Sequence, residues 1–265
     1  MEGAFIGDIV GSVYEWSGHK GKKFPLFGPG CRATDDSLMT LAVARAFQQA
    51  QQAGKLLEAD TVLPLLAREM RNLGQKYPNA GFGGKFRLWL RDPSLGPYGS
   101  FGNGAAMRVS PAGWFASTLE EAQHLAVLSC QVTHNHPDSY RAARAVAGAV
   151  FLARQHKNKD QIRTYLRQYY PLDFRLEEIR DSYQGDATCE GSVPQALESF
   201  LEAEDFEDAL RNAVSLGGDT DTLAAMAGSI AEPFFGIPEQ ILAEGRKFYL
   251  PEMRQRCWLP SAVDR

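Results

Sequence analysis

Wherever this chain is clearly periodic, the period is that of a helix. Across residues 37–52, Leu38, Leu41, Ala42 and Ala46 fall on one side while glutamines crowd the far end. A repeat near 3.6 residues gives a helix one apolar stripe to bury. The same pattern runs through residues 59–73, 119–131, 138–155, 159–169, 193–202, 206–216, 222–232 and 239–248. Only residues 86–90 hint at strand-like alternation. A chain without strand-period segments has nothing to build a sheet from, so the expected class is all-α. At 265 residues, with no internal repeat and no interior stretch resembling a linker, residues 1–265 are expected to fold as a single domain with a sizeable core.

Small residues constrain how those helices pack. Gly3, Gly7 and Gly11 recur every fourth position, so a helix from Gly3 to about Trp16 would carry a bare ridge that admits another backbone despite the propensity cost of glycine. Ala224, Ala225, Ala227 and Gly228 suggest a second helix of the same kind. Packed together, the two would bring their polar ends around one small site. Glycine and proline also collect in two long connections, residues 19–30 and 79–104, and connections of that length usually carry function.

Charge and cysteine usage exclude several classes. Lys+Arg number 28 against 32 Asp+Glu, so no overall positive field draws the chain to nucleic acid or anionic lipid, and no sequence-specific nucleic-acid binding is expected. Glu2 and Asp8 stand where an export signal would have a basic and then an apolar region. The longest apolar stretch, residues 145–153, lies between Arg144 and Arg154 and is too short to cross a bilayer. Cys31, Cys130, Cys189 and Cys257 form no CxxC pair, which fits packing of reduced thiols in a cytoplasmic protein better than a disulfide framework or a zinc site. A monomer is the default expectation.

Three acidic motifs carry the chemistry. Thr34-Asp35-Asp36-Ser37 precedes an apolar helix, and its oxygens suit either an N-cap or a ligand set. Asp219-Thr220-Asp221-Thr222 follows the pair Gly217-Gly218, which permits a sharp turn that would converge Asp219 and Asp221 on one point. Asp8 and Glu15 lie seven residues apart, two helical turns, and would share a face beside the glycine ridge or simply form a solvated stripe. Together the three supply hydroxyl and carboxylate oxygens, which suit a hard cation such as Mg²⁺ or Mn²⁺ and not zinc. Four aspartates about 5 Å apart would repel by roughly 3 kcal/mol per pair at an effective dielectric of 20, so bringing them together requires cations.

Two further motifs surround these. Tyr98-Gly99-Ser100-Phe101-Gly102-Asn103-Gly104 would turn backbone N–H groups toward an anion and offers an aromatic face for a sugar or base. Thr133-His134-Asn135-His136-Pro137 has a His-x-His pair without a third soft ligand, which favours hydrogen bonding or capping over metal ligation.

In chain order, Gly7-Asp8 through Glu15, Thr34-Asp35-Asp36, residues 102–108, Thr133-His134, Ser192-Val193-Pro194 and residues 216–222 resemble the ADP-ribosylglycohydrolase family, a likeness running from about Gly3 to Gly236. The resemblance implies an orthogonal all-α bundle with a binuclear Mg²⁺ or Mn²⁺ centre at the base of an ADP-ribose cleft. It implies Thr34, Asp35, Asp36, Asp219, Asp221 and Thr222 as metal ligands, and Glu15, Asp35 and Asp36 as the acids of catalysis. Ser100, Phe101, Gly102, Asn103 and Gly104 would cradle the diphosphate and distal ribose, with Met107 and His134 beside them. Glu15 matches a glutamate that reaches the metal site on a movable flap in the serine-acceptor branch, which points toward a serine-linked or O-acetyl acceptor. The expected activity is hydrolysis at C1″ of ADP-ribose, freeing it from a modified protein or small molecule. Lys20, Lys22 and Lys23 are read as solvated rather than phosphate-binding, and residues 186–191 do not reproduce the adenine-side pattern. Two other readings stay open: a non-catalytic ADP-ribose-binding or structural protein, since the family also includes lens crystallins, and a dimetal hydrolase of another nucleotide.

Overall fold

Helices dominate the computed structural model, which describes residues 1–255 and contains among them no strand, only an isolated bridge between Gly102 and Thr188. In order they are α1 (Glu2–Gly11), α2 (Asp35–Gln52), α3 (Ala59–Lys76), α4 (Gly84–Arg91), α5 (Gly104–Met107), α6 (Ser110–Phe115), α7 (Leu119–Gln131) and α8 (Pro137–Arg154). They continue as α9 (Lys159–Leu166), α10 (Leu176–Ile179), α11 (Cys189–Leu201), α12 (Phe206–Val214), α13 (Thr220–Phe235), α14 (Glu239–Gly245) and α15 (Pro251–Arg254), with a 3-10 turn at Arg246–Phe248. No helix among the described residues is long and apolar enough to cross a membrane.

The glycine ridge does what its spacing predicts. A Cβ at Gly3 would lie 2.2 Å from Gly228 O, at Gly7 2.0 Å from Ala224 O, and at Gly11 2.4 Å from Thr220 O. Helices α1 and α13 therefore run backbone against backbone, and every α13 residue from Thr220 to Ala231 is buried. Both helices are apolar around nearly their whole circumference, as helices enclosed by others must be. Helices α2, α8, α11 and α12 pack around this pair and extend one continuous core.

Several expectations need correcting. Helix α1 stops at Gly11 instead of reaching Trp16. The chain then tightens, with Tyr14 N–H donating to Gly11 O, and Trp16 takes a left-handed conformation (φ 50°) as its N–H donates to Gly218 O at 2.8 Å. Asp8 and Glu15 thus share no helical face. Residues 86–90 are not a strand but lie inside α4, where Phe86, Trp89 and Leu90 are buried at helical spacing and Leu88 is 61% exposed. The 79–104 connection is accordingly interrupted by a helix. Cys31, Cys130 and Cys189 are buried free thiols, while Cys257 lies outside the described residues.

Candidate metal centre and substrate cleft

Three helix ends meet at one place: the C-terminus of α1 and the N-termini of α2 and α13. Close approach of α1 to α13 puts Gly11 against Thr220 and Asp221, and Thr220 Oγ1 donates to Gly11 O at 2.8 Å. Asp8, one turn earlier on α1 and fully buried, fastens α2. Its Oδ2 accepts Thr34 N–H at 2.9 Å, Ser37 N–H at 3.0 Å and the Ser37 hydroxyl, and its Oδ1 accepts the Thr34 hydroxyl at 2.6 Å. Thr34 also caps α2, its Oγ1 accepting Asp36 N–H at 3.4 Å. The cap and ligand readings of this motif are therefore compatible.

Carboxylates converge from all three ends. Oxygens of Asp8, Asp36 and Asp221 lie within 4.8 Å of one another, as do oxygens of Glu15, Asp219 and Asp221. Thr222 Oγ1 donates to Asp36 Oδ2 at 3.3 Å, and Asn103 Nδ2 donates to Asp219 Oδ2 at 2.7 Å. Asp35 belongs to neither triad and lines the same cleft, its Oδ1 so close to Gly81 that a Cβ there would lie 2.6 Å away. Burial drives Asp8 and Asp35 toward their neutral forms, pushing Asp8 to about 6 and Asp35 to about 8, with the neighbouring charges of Asp8, Asp219 and Glu15 adding to the rise at Asp35. Asp36 and Asp221 rise well above the ordinary carboxylate range for the same two reasons.

The donor set fits a hard divalent cation. It is all oxygen, it concentrates negative charge, and Asp36 Oδ1 is buried without a hydrogen-bond partner. A buried acceptor with no donor is costly unless something positive faces it.

Above the acids opens a cavity of about 410 Å³, within the range of small-molecule sites. Glu15, Asp35, Asp36, Asp219, Asp221, Thr222, Ser100, Gly102, Asn103, Gly104, Met107 and His134 all line it. Thr34 lies beneath them, 2% exposed, with its hydroxyl oxygen 3.5 Å from Asp221 Oδ2. Phe101 does not line the cavity: its side chain is 52% exposed and its ring lies 5.6 Å from that of His136. The glycine-rich loop is held from behind by Asn103 N–H donating to Ala187 O and Cys189 N–H to Phe101 O. Residues 186–191, unmatched at the adenine side, thus buttress the loop and contribute Ala187 to the wall.

The two histidines part company. His136 caps α8, its Nδ1 accepting Asp138 N–H at 3.2 Å. His134 is buried in the cavity wall, and burial together with the Arg108 charge holds its ring well below the usual histidine range, so it is neutral. The buried Arg108 guanidinium donates to Thr133 Oγ1 at 2.8 Å, and the Thr133 hydroxyl donates to His134 Nδ1 at 2.8 Å. Arg108 Nη2 also lies 3.4 Å from His134 Nδ1, and since a guanidinium can only donate, Nδ1 is the acceptor and the ring proton is assigned to Nε2. That N–H faces Gly104, where a Cβ would lie 3.0 Å from Nε2.

Sequence reasoning missed Trp16, whose exposed indole lines the cavity and donates to Glu15 Oε1 at 3.1 Å, and the wall formed by Gly81, Gly83, Gly84, Lys85 and Phe86. The glycine-rich composition of the 79–104 connection points to that wall without naming its residues, whereas nothing in composition or spacing signals Trp16. Lys20 is neither solvated nor aimed at the cleft: its Nζ donates to the carbonyls of Tyr183 and Leu216, tying down the turn before α13. Lys22 pairs with Asp208.

The sequence profile of the ADP-ribosylglycohydrolase family matches residues 1–264. The relatives include ADP-ribosylhydrolase ARH3 of Homo sapiens, 28% identical with 90% of this chain and 85% of that protein covered. Another is an ADP-ribosyl dinitrogen reductase glycohydrolase of Rhodospirillum rubrum, 26% identical with 89% and 84% covered. A solved structure described as an ADP-ribosylglycohydrolase-related protein complex superposes with a TM-score of 0.63 over 94% of both chains at 23% identity, a likeness of fold.

Proposed function

This chain belongs to the ADP-ribosylglycohydrolase family, and from that membership we propose that it is a divalent-cation-dependent hydrolase cleaving at C1″ of ADP-ribose to free it from a modified acceptor. The observation that carries the reading is the convergence of Asp36, Asp219, Asp221 and Glu15 at the floor of a cavity whose wall is the glycine-rich loop. Thr34, Asp35, Asp36, Asp219, Asp221 and Thr222 would hold two Mg²⁺ or Mn²⁺ ions. When bound, such ions act as Lewis acids and lower the proton affinity of the oxygens they touch.

The chain's own groups do the rest. The backbone amide at Gly104 and the Ser100 hydroxyl, held by Gly102 N–H donating to Ser100 Oγ at 3.2 Å, receive the diphosphate and distal ribose, and His134 offers its Nε2–H to the same ligand. Asn103, anchored on Asp219, orients that carboxylate toward the ribose. Glu15 is the acid nearest solvent, so it takes the proton from the attacking water as the oxygen adds to C1″, and the acceptor oxygen, as its bond to C1″ breaks, leaves with a proton drawn from Glu15 or solvent. The ring of carboxylates stabilises the positive charge that builds on the ribose as the bond breaks. The presence of Glu15, which matches the glutamate of the family's serine-acceptor branch, favours a serine-linked or O-acetyl acceptor.

The test is a panel of defined ADP-ribosyl linkages incubated with Mg²⁺, Mn²⁺ or a chelator, with products separated by chromatography. Free ADP-ribose plus unmodified acceptor, lost on chelation, is expected. AMP as the product would instead mean attack on the diphosphate, and binding without turnover of any linkage would mean a non-catalytic protein.

A further inference from the structure

Asp8 stands outside the six ligands the family resemblance implies, yet it holds one of them, Thr34, and has an oxygen within 4.8 Å of oxygens of two more, Asp36 and Asp221. Its two oxygens are used unequally. Oδ2 accepts both backbone amides, of Thr34 and Ser37, and the Ser37 hydroxyl, whereas the one donor facing Oδ1 is the Thr34 hydroxyl at 2.6 Å. A threonine hydroxyl has a single proton. With that proton spent on Asp8, the Thr34 oxygen can only accept in every other direction, and one of those directions is Asp221 Oδ2 at 3.5 Å. Two acceptor oxygens facing each other in a buried site repel unless something positive lies between them, either a cation or, in its absence, the proton that burial favours on Asp221.

We infer that Asp8 is a positioning residue for the cation centre: by taking the Thr34 proton it turns the Thr34 lone pairs toward Asp221, so that both oxygens serve a shared cation. This rests on the proposed cation centre and deepens it. Outer partners that fix the orientation of a ligand in this way are worth about 10- to 100-fold in metal affinity.

Asp8→Asn isolates the effect, because asparagine has the same shape and keeps one acceptor oxygen. The three donors on the Oδ2 side hold that oxygen in place, so the new NH₂ group faces Thr34 Oγ1 and donates to it. The Thr34 proton is then forced toward Asp221 and into the cation's position. A merely structural Asp8 would change the melting temperature of the cation-free protein and leave cation affinity alone.

The experiment is calorimetric titration of the purified full chain with Mn²⁺, alongside thermal melts with and without Mn²⁺. Expected for Asp8→Asn is a cation-free melting temperature close to wild type, affinity reduced at least tenfold and most of the Mn²⁺-induced shift lost. Unchanged affinity in Asp8→Asn overturns the inference, whereas absence of Mn²⁺ binding by the wild type overturns the cation centre itself. Should Asp8→Asn not fold, Thr34→Val replaces the oxygen while leaving Asp8 intact. It too must lose at least tenfold in affinity, and wild-type affinity in that variant overturns the inference as well.

Discussion

Asp36 keeps one carboxylate oxygen buried with no donor facing it, while Thr222 serves the other. Burial and the charges of Asp8, Asp35 and Asp219 favour the protonated acid when no cation is present, and a protonated aspartate differs little from asparagine in size and polarity. Asp36→Asn is therefore expected to leave the cation-free protein as stable as wild type, within about 1 kcal/mol, because it removes a charge the fold already disfavours. Hydrolysis of an ADP-ribosyl substrate should nevertheless fall by on the order of a hundredfold or more, since a lost ligand costs at least what a lost outer partner does. Melting curves in chelator and initial rates in Mg²⁺ check the two halves. A large loss of cation-free stability would mean that Asp36 holds the fold and not an ion. The identity of these acids was legible from sequence because Thr-Asp-Asp and Asp-Thr-Asp-Thr each precede an apolar helix. The part played by Asp8 was not, because its partners Thr34 and Ser37 lie 26 and 29 positions away.

The α1–α13 pair is the element on which the site is built. Gly7 has no room for a methyl group: its Cβ would meet Ala224 O at 2.0 Å and Ala224 C at 2.4 Å, both backbone atoms that cannot swing aside. Gly7→Ala raises helix propensity, which alone would stabilise by up to about 1 kcal/mol. Overpacking against a fixed backbone costs roughly 1–3 kcal/mol and is the larger effect. The net expectation is a melting temperature lowered by several degrees, together with weaker cation binding, because separating the helices moves Asp221 away from Asp8 and Asp36. The control is Gly28→Ala, where nothing lies within 4 Å and neither quantity should move. If Gly7→Ala melts like wild type, the ridge is not holding the helices together. Glycine at every fourth position announced this contact from sequence. The end of α1 was misjudged because the pattern of small and apolar residues runs on through Val13, while the hydrogen bond from Trp16 to Gly218 that turns the chain comes from over two hundred residues away.

At the scale of the whole molecule, the proposed cation sites and the cavity would form one thermodynamic unit, since the acids floor that cavity. A ligand present at a hundred times its dissociation constant stabilises the native state by about 2.7 kcal/mol. For a chain of this size that corresponds to roughly 5–11 °C in melting temperature. ADP-ribose with Mg²⁺ is expected to give a shift of that order by differential scanning fluorimetry, and ADP-ribose in chelator a much smaller one. Equal shifts in the two conditions would uncouple ligand from cation and leave the acids without a role in binding.

Local chemistry reaches only so far along a chain like this. Helical period, caps and glycine spacing act between residues a few positions apart, so the all-α class, most helix cores, the close α1–α13 pairing and the acidic motifs followed from the sequence alone. Which groups face one another across the site is set by packing between segments distant in sequence. That packing decided that Asp8 holds Thr34, that Glu15 swings onto Asp219 and Asp221, that Lys20 turns away from the cleft, and that Phe101 leaves the cavity wall while Trp16 joins it. Hydrogen bonds and burial between remote segments carry no periodic trace, because a side chain's partner is chosen by where the fold brings the two together and not by their separation along the chain.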